Sequence, residues 1–201
     1  MRLFAAVLPP ESALAELAAA VDPVRERTDP GDGSGAERGG LRWTLRASWH
    51  FTVAFYGEVA EDAVPELSAR LERAAGRTEP FEIALRGAGQ FGKGAVLWVG
   101  VDGDVPVMRR LAERAQAAAR KAGIPMDEHR RYRPHLTLAH SRNKTRHTDL
   151  RPHLAGLADF AGTAWTVREL CLVRSTLPTS GVPGEQPRYE KVGGWPLGGA
   201  G

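Results

Sequence analysis

Residues 50–57 read HFTVAFYG, and the pattern of the first four returns at 135–138 as HLTL. Both stretches are rich in β-branched, aromatic or aliphatic residues, and the first ends at Gly57, so each has the profile of a strand. Successive side chains of a strand leave on opposite faces. His50 and Thr52 therefore share one face, with Phe51, Val53 and Phe55 on the other. His135 and Thr137 pair in the same way against Leu136 and Leu138. Each strand is expected to turn its apolar face to a helix-covered core and to show an imidazole and a hydroxyl, about 7 Å apart, on the opposite face.

Other elements alternate around these two strands. Residues 2–8 read as a strand, and after Pro9-Pro10 the positions Leu14, Leu17, Val21 and Val24 recur at helical spacing. Asp62 is expected to cap a helix carrying Val64, Leu67 and Leu71. Residues 81–86 and 95–101 read as strands around a Gly-rich turn. Asp104, Pro106, an Ala/Leu stripe through Ala122, then Gly123 and Pro125 mark both ends of a further helix. A short helix near 149–157 and strands near 165–174 and 188–192 complete the series. Residues 31–40, within the Gly-rich run 29–40, read as a flexible loop, and 193–201 as a fraying tail. Strands and helices joined partly by hairpin-length turns predict one α+β domain over 1–201 and not a doubly wound parallel sheet. No G-x-G-x-x-G opens a helix after a strand, and there is no phosphate-loop signature.

Composition narrows the class. With 201 residues, 42% hydrophobic and 25% charged, neither disorder nor a fibrous architecture fits. The one cysteine, Cys171, cannot form an internal disulfide or a thiolate metal cluster, which suits a reducing compartment. The apolar run 3–8 stops at Pro9-Pro10, too short for a signal sequence or a membrane span, so a soluble cytoplasmic protein is expected. Net charge is only +3, yet residues 120–151 carry nine Arg and Lys against three Asp and Glu. Such a segment is either a solvated face or an anion-binding rim.

The paired histidines favour an anion. One His–Thr strand alone is most simply a hydrogen-bonded histidine beside a good strand former. Two copies matched in residue type, spacing and facing are harder to attribute to chance. An imidazole with an ordinary pKa near 6.5 can serve as base when neutral and as acid when protonated. Two of them flanking one centre, with hydroxyls donating to its oxygens, suit displacement at phosphorus, where one oxygen gives up a proton and another receives one. This reading makes His135 the base and His50 the acid. Arg133, two residues before His135, either reaches the same face as a fork for phosphate oxygens or covers the strand edge. Trp98 and Cys171 read as core, while Phe4 and Tyr132 are candidates to stack on a base.

Two rival readings compete with this one. Five of the six histidines lie between 129 and 153, which raises a histidine-metal hydrolase. Against it, His135 and His140 are five apart on a strand and so expected to face opposite ways, H-E-x-x-H is missing, and no acidic cluster accompanies them. The other rival is a non-catalytic RNA- or nucleotide-binding module, for which two matched acid/base groups would have no purpose.

The chain resembles the 2H phosphoesterase superfamily, and within it the RNA 2′,3′-cyclic phosphodiesterase (2′-5′ RNA ligase) family. The likeness rests on both tetrapeptides, on Arg2-Leu3-Phe4-Ala5 with Pro9-Pro10-Glu11, on Arg42-Trp43, on Arg133-Pro134, and on Arg188-Tyr189-Glu190 with Trp195-Pro196-Leu197. It implies a bilobed α+β fold with two pseudo-symmetric antiparallel lobes, helices outside and a central cleft. It further implies hydrolysis of 2′,3′-cyclic phosphate ends of RNA or nucleotides to 2′-phosphates, with no metal or other cofactor. Some members also join tRNA halves through a 2′-5′ linkage. By position, His50 and His135 would be the catalytic pair and Thr52 and Thr137 would hold the phosphate, with neither membrane nor obligate protein partner implied. Arg46-Ala47-Ser48-Trp49 departs from the Pro-Glu-Asn-type stretch common before the first motif, and the strand after the second motif ends in His140.

Overall fold

The two motif strands are central neighbours in a single antiparallel sheet. A computed structural model describes residues 1–28, 40–126, 132–142, 148–179 and 185–199. Its strands are β1 (Arg2–Val7), β2 (Leu41–Trp43), β3 (Phe51–Glu58), β4 (Phe81–Phe91), β5 (Val96–Gly103), β6 (Leu136–Ser141), β7 (Trp165–Val167), β8 (Glu169–Thr176) and β9 (Arg188–Pro196). They run in the order β7-β4-β5-β6-β3-β1-β8-β9, with β2 added alongside β6. The helices are α1 (Glu11–Thr28), α2 (Val64–Gly76), α3 (Val105–Lys121) and α4 (Arg151–Leu157). Among the described residues no helix is long and apolar enough to cross a membrane.

The halves of the sheet, β7-β4-β5-β6 and β3-β1-β8-β9, meet at one Cα pair, Phe51 with Leu136. These residues directly follow the two histidines. In an antiparallel pair, stepping forward on one strand is stepping back on the other. Extended by one residue each way, this register sets His50 across from Thr137 and Thr52 across from His135. The seam is thus a local twofold that exchanges the motifs, and with only one paired position the strands are free to part on either side.

One apolar cluster lies beneath the sheet. Phe51, Leu136 and Leu138 are fully buried in it, beside Leu17, Val21 and Val24 of α1, Leu67 and Leu71 of α2, and Met108 and Leu111 of α3. Proline in the first turn, where its missing N–H costs nothing, starts α2, α3 and α4 at Pro65, Pro106 and Pro152.

Several expectations need correction. Strict alternation breaks in both motif strands, because each carries a bulge at the fourth motif residue. Ala5 pairs with Ala54 and Ala6 with Thr52, skipping Val53; Leu97 pairs with Ala139 and Trp98 with Thr137, skipping Leu138. The extra residue reverses the facing of the residues after it. Phe55 is therefore 49% exposed, with the Arg2 guanidinium over its ring, instead of joining Phe51 and Val53 in the core. Asp62 lies inside a one-turn 3-10 helix and caps nothing; Ala63 holds the cap position of α2. Asp104 does precede α3, but its carboxylate accepts from the Glu82 N–H at 3.0 Å and ties the helix start to β4.

The tail also departs from expectation, since β9 continues to Pro196 and Leu197 is buried. Gly193 and Gly194 within it serve close approach, not a turn. A Cβ on Gly193 would lie 3.1 Å from the Trp195 ring, and one on Gly194 would lie 2.3 Å from the Glu169 carboxylate. Most of the Gly-rich run 29–40, and Arg130, Arg131, Lys144 and Arg146 of the basic segment, lie outside the described residues.

Candidate active site

Both histidines are fixed by the same local device. The 3-10 turn Arg46–Ser48 delivers the Ser48 carbonyl to 2.7 Å from His50 Nδ1, and the Arg133 carbonyl stands 2.7 Å from His135 Nδ1. A carbonyl oxygen only accepts, so each Nδ1 carries the proton and donates it to the carbonyl two residues earlier. Each neutral ring is left with its lone pair on Nε2. That of His50 accepts from the Thr52 hydroxyl at 3.2 Å.

His50, Thr52, His135 and Thr137 line one cavity of about 190 Å³, together with Arg42, Thr44, Ser48, His140, Gln186, Pro187 and Tyr189. That is below the roughly 300–1,000 Å³ of sites that engulf drug-sized ligands. It suits a phosphoryl end whose carrier remains outside. None of these lining residues is acidic, so an anion entering here meets hydroxyls, imidazoles and a guanidinium without an opposing carboxylate. Among the described residues no three His, Cys, Asp or Glu side chains are grouped to hold a metal ion.

Aromatic rings frame each imidazole. Phe4 stacks on His50 at 4.7 Å between centroids, and Tyr189 meets it edge-on at 5.1 Å. Phe91 meets His135 edge-on at 4.8 Å, with Trp98 at 6.3 Å. Burial is the main reason that His50 is pulled down to about 4; the Ser48 carbonyl opposes the shift and the nearby His135 adds to it. His135 is also lowered by burial, against its Arg133 carbonyl. Both rings are therefore neutral near pH 7 while no anion is bound.

A clip built on Thr44 holds the floor of the site. Its hydroxyl lies 3.0 Å from the Thr137 carbonyl and 2.9 Å from that of Leu138, and accepts from Trp49 Nε1 at 2.9 Å. Gln186 donates to the Trp43 carbonyl at 2.8 Å and accepts from the Leu45 N–H at 3.2 Å. The two motifs are thus anchored to each other by residues whose polar atoms are already engaged.

The structure gathers four of the five expected site residues. The fifth, Arg133, is exposed and its guanidinium is not part of the lining; it lies over the Phe91 ring at 5.7 Å. Strand pairing begins only at Leu136, after Pro134, so the facing rule does not reach back to Arg133. His140, expected on the opposite face from His135, lines the same cavity because the bulge at Leu138 intervenes. Trp98, expected in the core, is half-buried beside His135. Tyr132 packs against the core and is not in the lining, and Phe4 touches the site through His50. Arg42, Thr44, Gln186 and Tyr189 carry no local signal: each is placed by a pairing partner distant in sequence.

A family model described as the 2′-5′ RNA ligase superfamily matches residues 9–178. An RNA 2′,3′-cyclic phosphodiesterase of Thermus thermophilus is 31% identical over 189 residues, 90% of this chain and 85% of that protein. One from Geobacillus stearothermophilus is 27% identical over 161 residues, 79% of this chain but 48% of that protein. This chain thus spans about half the length of that relative. The crystal structure of TT0787 of Thermus thermophilus superposes with a TM-score of 0.70 at 28% identity, covering 99% of both chains. E. coli LigT complexed with 3′-AMP shares the fold at a TM-score of 0.71 and 23% identity, covering 98% of this chain and 97% of that one. With both histidine strands inside the matched region, the chain belongs to the 2′-5′ RNA ligase superfamily.

Proposed function

We propose that this protein hydrolyses 2′,3′-cyclic phosphate ends of RNA or nucleotides to 2′-phosphates without a metal ion. One observation carries the reading: two imidazoles with the same fixed tautomer, and the threonine of each motif, line one cavity that has no acidic lining. His135 is the less enclosed ring, and this reading gives it the proton of the attacking water. The water oxygen forms a bond to phosphorus, the bond to O3′ breaks, and His50, protonated in the substrate complex, gives its proton to O3′. Thr52 and Thr137 donate to the non-bridging oxygens. Ring strain assists, so positioning and charge stabilisation supply the remainder. A 5′-hydroxyl of a second RNA in place of water yields a 2′-5′ linkage by the same displacement, which admits tRNA fragments as substrates.

His50→Ala and His135→Ala are each expected to lower kcat/KM for a 2′,3′-cyclic nucleotide by about 10²–10⁴. The double variant should cost little more than the worse single one, as in groups acting together. Activity should persist in EDTA. Near-full turnover by either variant, or loss in EDTA that a divalent cation restores, would contradict this mechanism.

A further inference from the structure

The two halves of the sheet meet at one backbone pair, and they meet again through the side chain of Gln186. From the β6 half, the segment of β2 gives Arg42 and Thr44 to the cavity lining; from the other half, Pro187 and Tyr189 at the entry of β9 line it. The Thr44 N–H donates to the Leu138 carbonyl of β6 at 2.8 Å. The Trp43 carbonyl and the Leu45 N–H on either side of it therefore point away from β6, as alternate groups along a strand do. The half-buried Gln186 amide donates to that carbonyl at 2.8 Å and accepts from that N–H at 3.2 Å, in the place a neighbouring strand would take.

Tyr189 is the residue that this tie governs. It is the second residue of β9, the last strand in the sheet order, and the ladder to β8 starts only one residue earlier, at the pair of Arg188 with Thr176. Pairing is weakest at such an end. The Tyr189 ring, itself 38% exposed, nevertheless stands edge-on to His50 at 5.1 Å and to Phe4 at 5.4 Å. Pro187 lies between Gln186 and the ladder with its φ fixed by the pyrrolidine ring, so an anchored Gln186 restricts the directions open to the chain that enters β9.

We infer that Gln186 is a positioning residue for the proposed reaction: by fastening the entry of β9 to residues 43–45 it holds the Tyr189 ring against His50 and keeps water from that imidazole. The inference rests on the reading of His50 as the proton donor, because only then does its enclosure bear on turnover. His50 is faced by Tyr189 from β9 and by His135 from β6, shares the cavity with Arg42 of β2 and His140 of β6, and meets no carboxylate in the lining. All of these groups survive the removal of the Gln186 amide. A change in the titration of His50 then reports its enclosure and not a lost charge.

The test follows the Cε1–H resonance of His50 by NMR through a pH titration of the free protein, the signal being assigned by its loss in His50→Ala. Wild type is expected to titrate at about pH 4. Gln186→Met, which keeps the length of the side chain and neither hydrogen bond, should raise the midpoint by about one unit. One limb of the profile of kcat/KM against pH should move with it. Tyr189→Ala should raise the midpoint at least as far, and Gln186→Met added to Tyr189→Ala should change nothing more, as for two residues acting along one path. A Gln186→Met variant that titrates as wild type overturns the inference, and so does an equal shift with and without the Tyr189 ring. Failure of the wild type to open a 2′,3′-cyclic nucleotide overturns the reaction instead, a result separate from the midpoints because they are read without substrate.

Discussion

His50 is stored in the wrong protonation state for the role proposed for it. Enclosed by Phe4 and Tyr189, it is held neutral down to about pH 4, yet it must enter the reaction as an acid. The substrate's own charge supplies the remedy: an anion placed beside Nε2 favours the imidazolium and raises the pKa. Ligand binding between about pH 5 and 7 should therefore draw protons from solution. Calorimetry of inorganic phosphate binding in buffers of different ionisation enthalpy should show net uptake, and uptake should shrink in His50→Ala. Binding without proton exchange in the wild type would mean that His50 is not the group next to the anion. The four motif residues are legible in the sequence because their chemistry repeats locally. The side taken by Arg133 stays open in the sequence for lack of a strand where the facing rule needs one, and Arg42 escapes notice as a cavity residue because nothing local to it announces the cavity.

At the level of elements, the threonine clip and the glycine strand carry the most stringent tests. Thr44→Val keeps the shape but removes the hydroxyl that serves two carbonyls and the Trp49 N–H. Leaving that indole unpaired should cost about 1–3 kcal/mol in denaturant unfolding and reduce turnover, since Trp49 precedes His50. A loss below about 0.5 kcal/mol would show that water replaces the clip. Gly89 lies under Trp98, where a Cβ would come within 2.2 Å of the indole ring. Gly89→Ala should therefore push Trp98 away from His135, at an overpacking cost of about 1–3 kcal/mol. Adding Trp98→Leu should recover most of that loss in the double variant, and no recovery would place the strain elsewhere. Helix and strand positions are readable because apolar spacing and proline punctuation mark them. The bulges at Val53 and Leu138 are not, since a bulge is defined by the register of two strands and has no signature in either one alone. One unseen residue per strand is enough to misassign both Phe55 and His140.

Across the molecule, the sheet is two antiparallel halves joined where the motifs meet, and the join is slight in backbone terms and dense in chemistry. The halves share one paired position, one cavity, and a core that continues beneath both. Such a design lets helices rigidify each half while the seam stays open enough to admit a phosphoryl end. A bilobed α+β architecture can be anticipated from element order and from the repeated tetrapeptide, whereas the strand order cannot, because β1, β8 and β9 come together from opposite ends of the chain. The central claim, that both imidazoles act on one phosphorus atom, is met most directly by phosphorus NMR of adenosine 2′,3′-cyclic phosphate incubated with wild-type protein. The account predicts that the cyclic diester resonance gives way to that of the 2′-monophosphate alone, with the conversion absent in His50→Ala and His135→Ala. A resonance that broadens on binding but is never converted, or a 3′-monophosphate product, would contradict it.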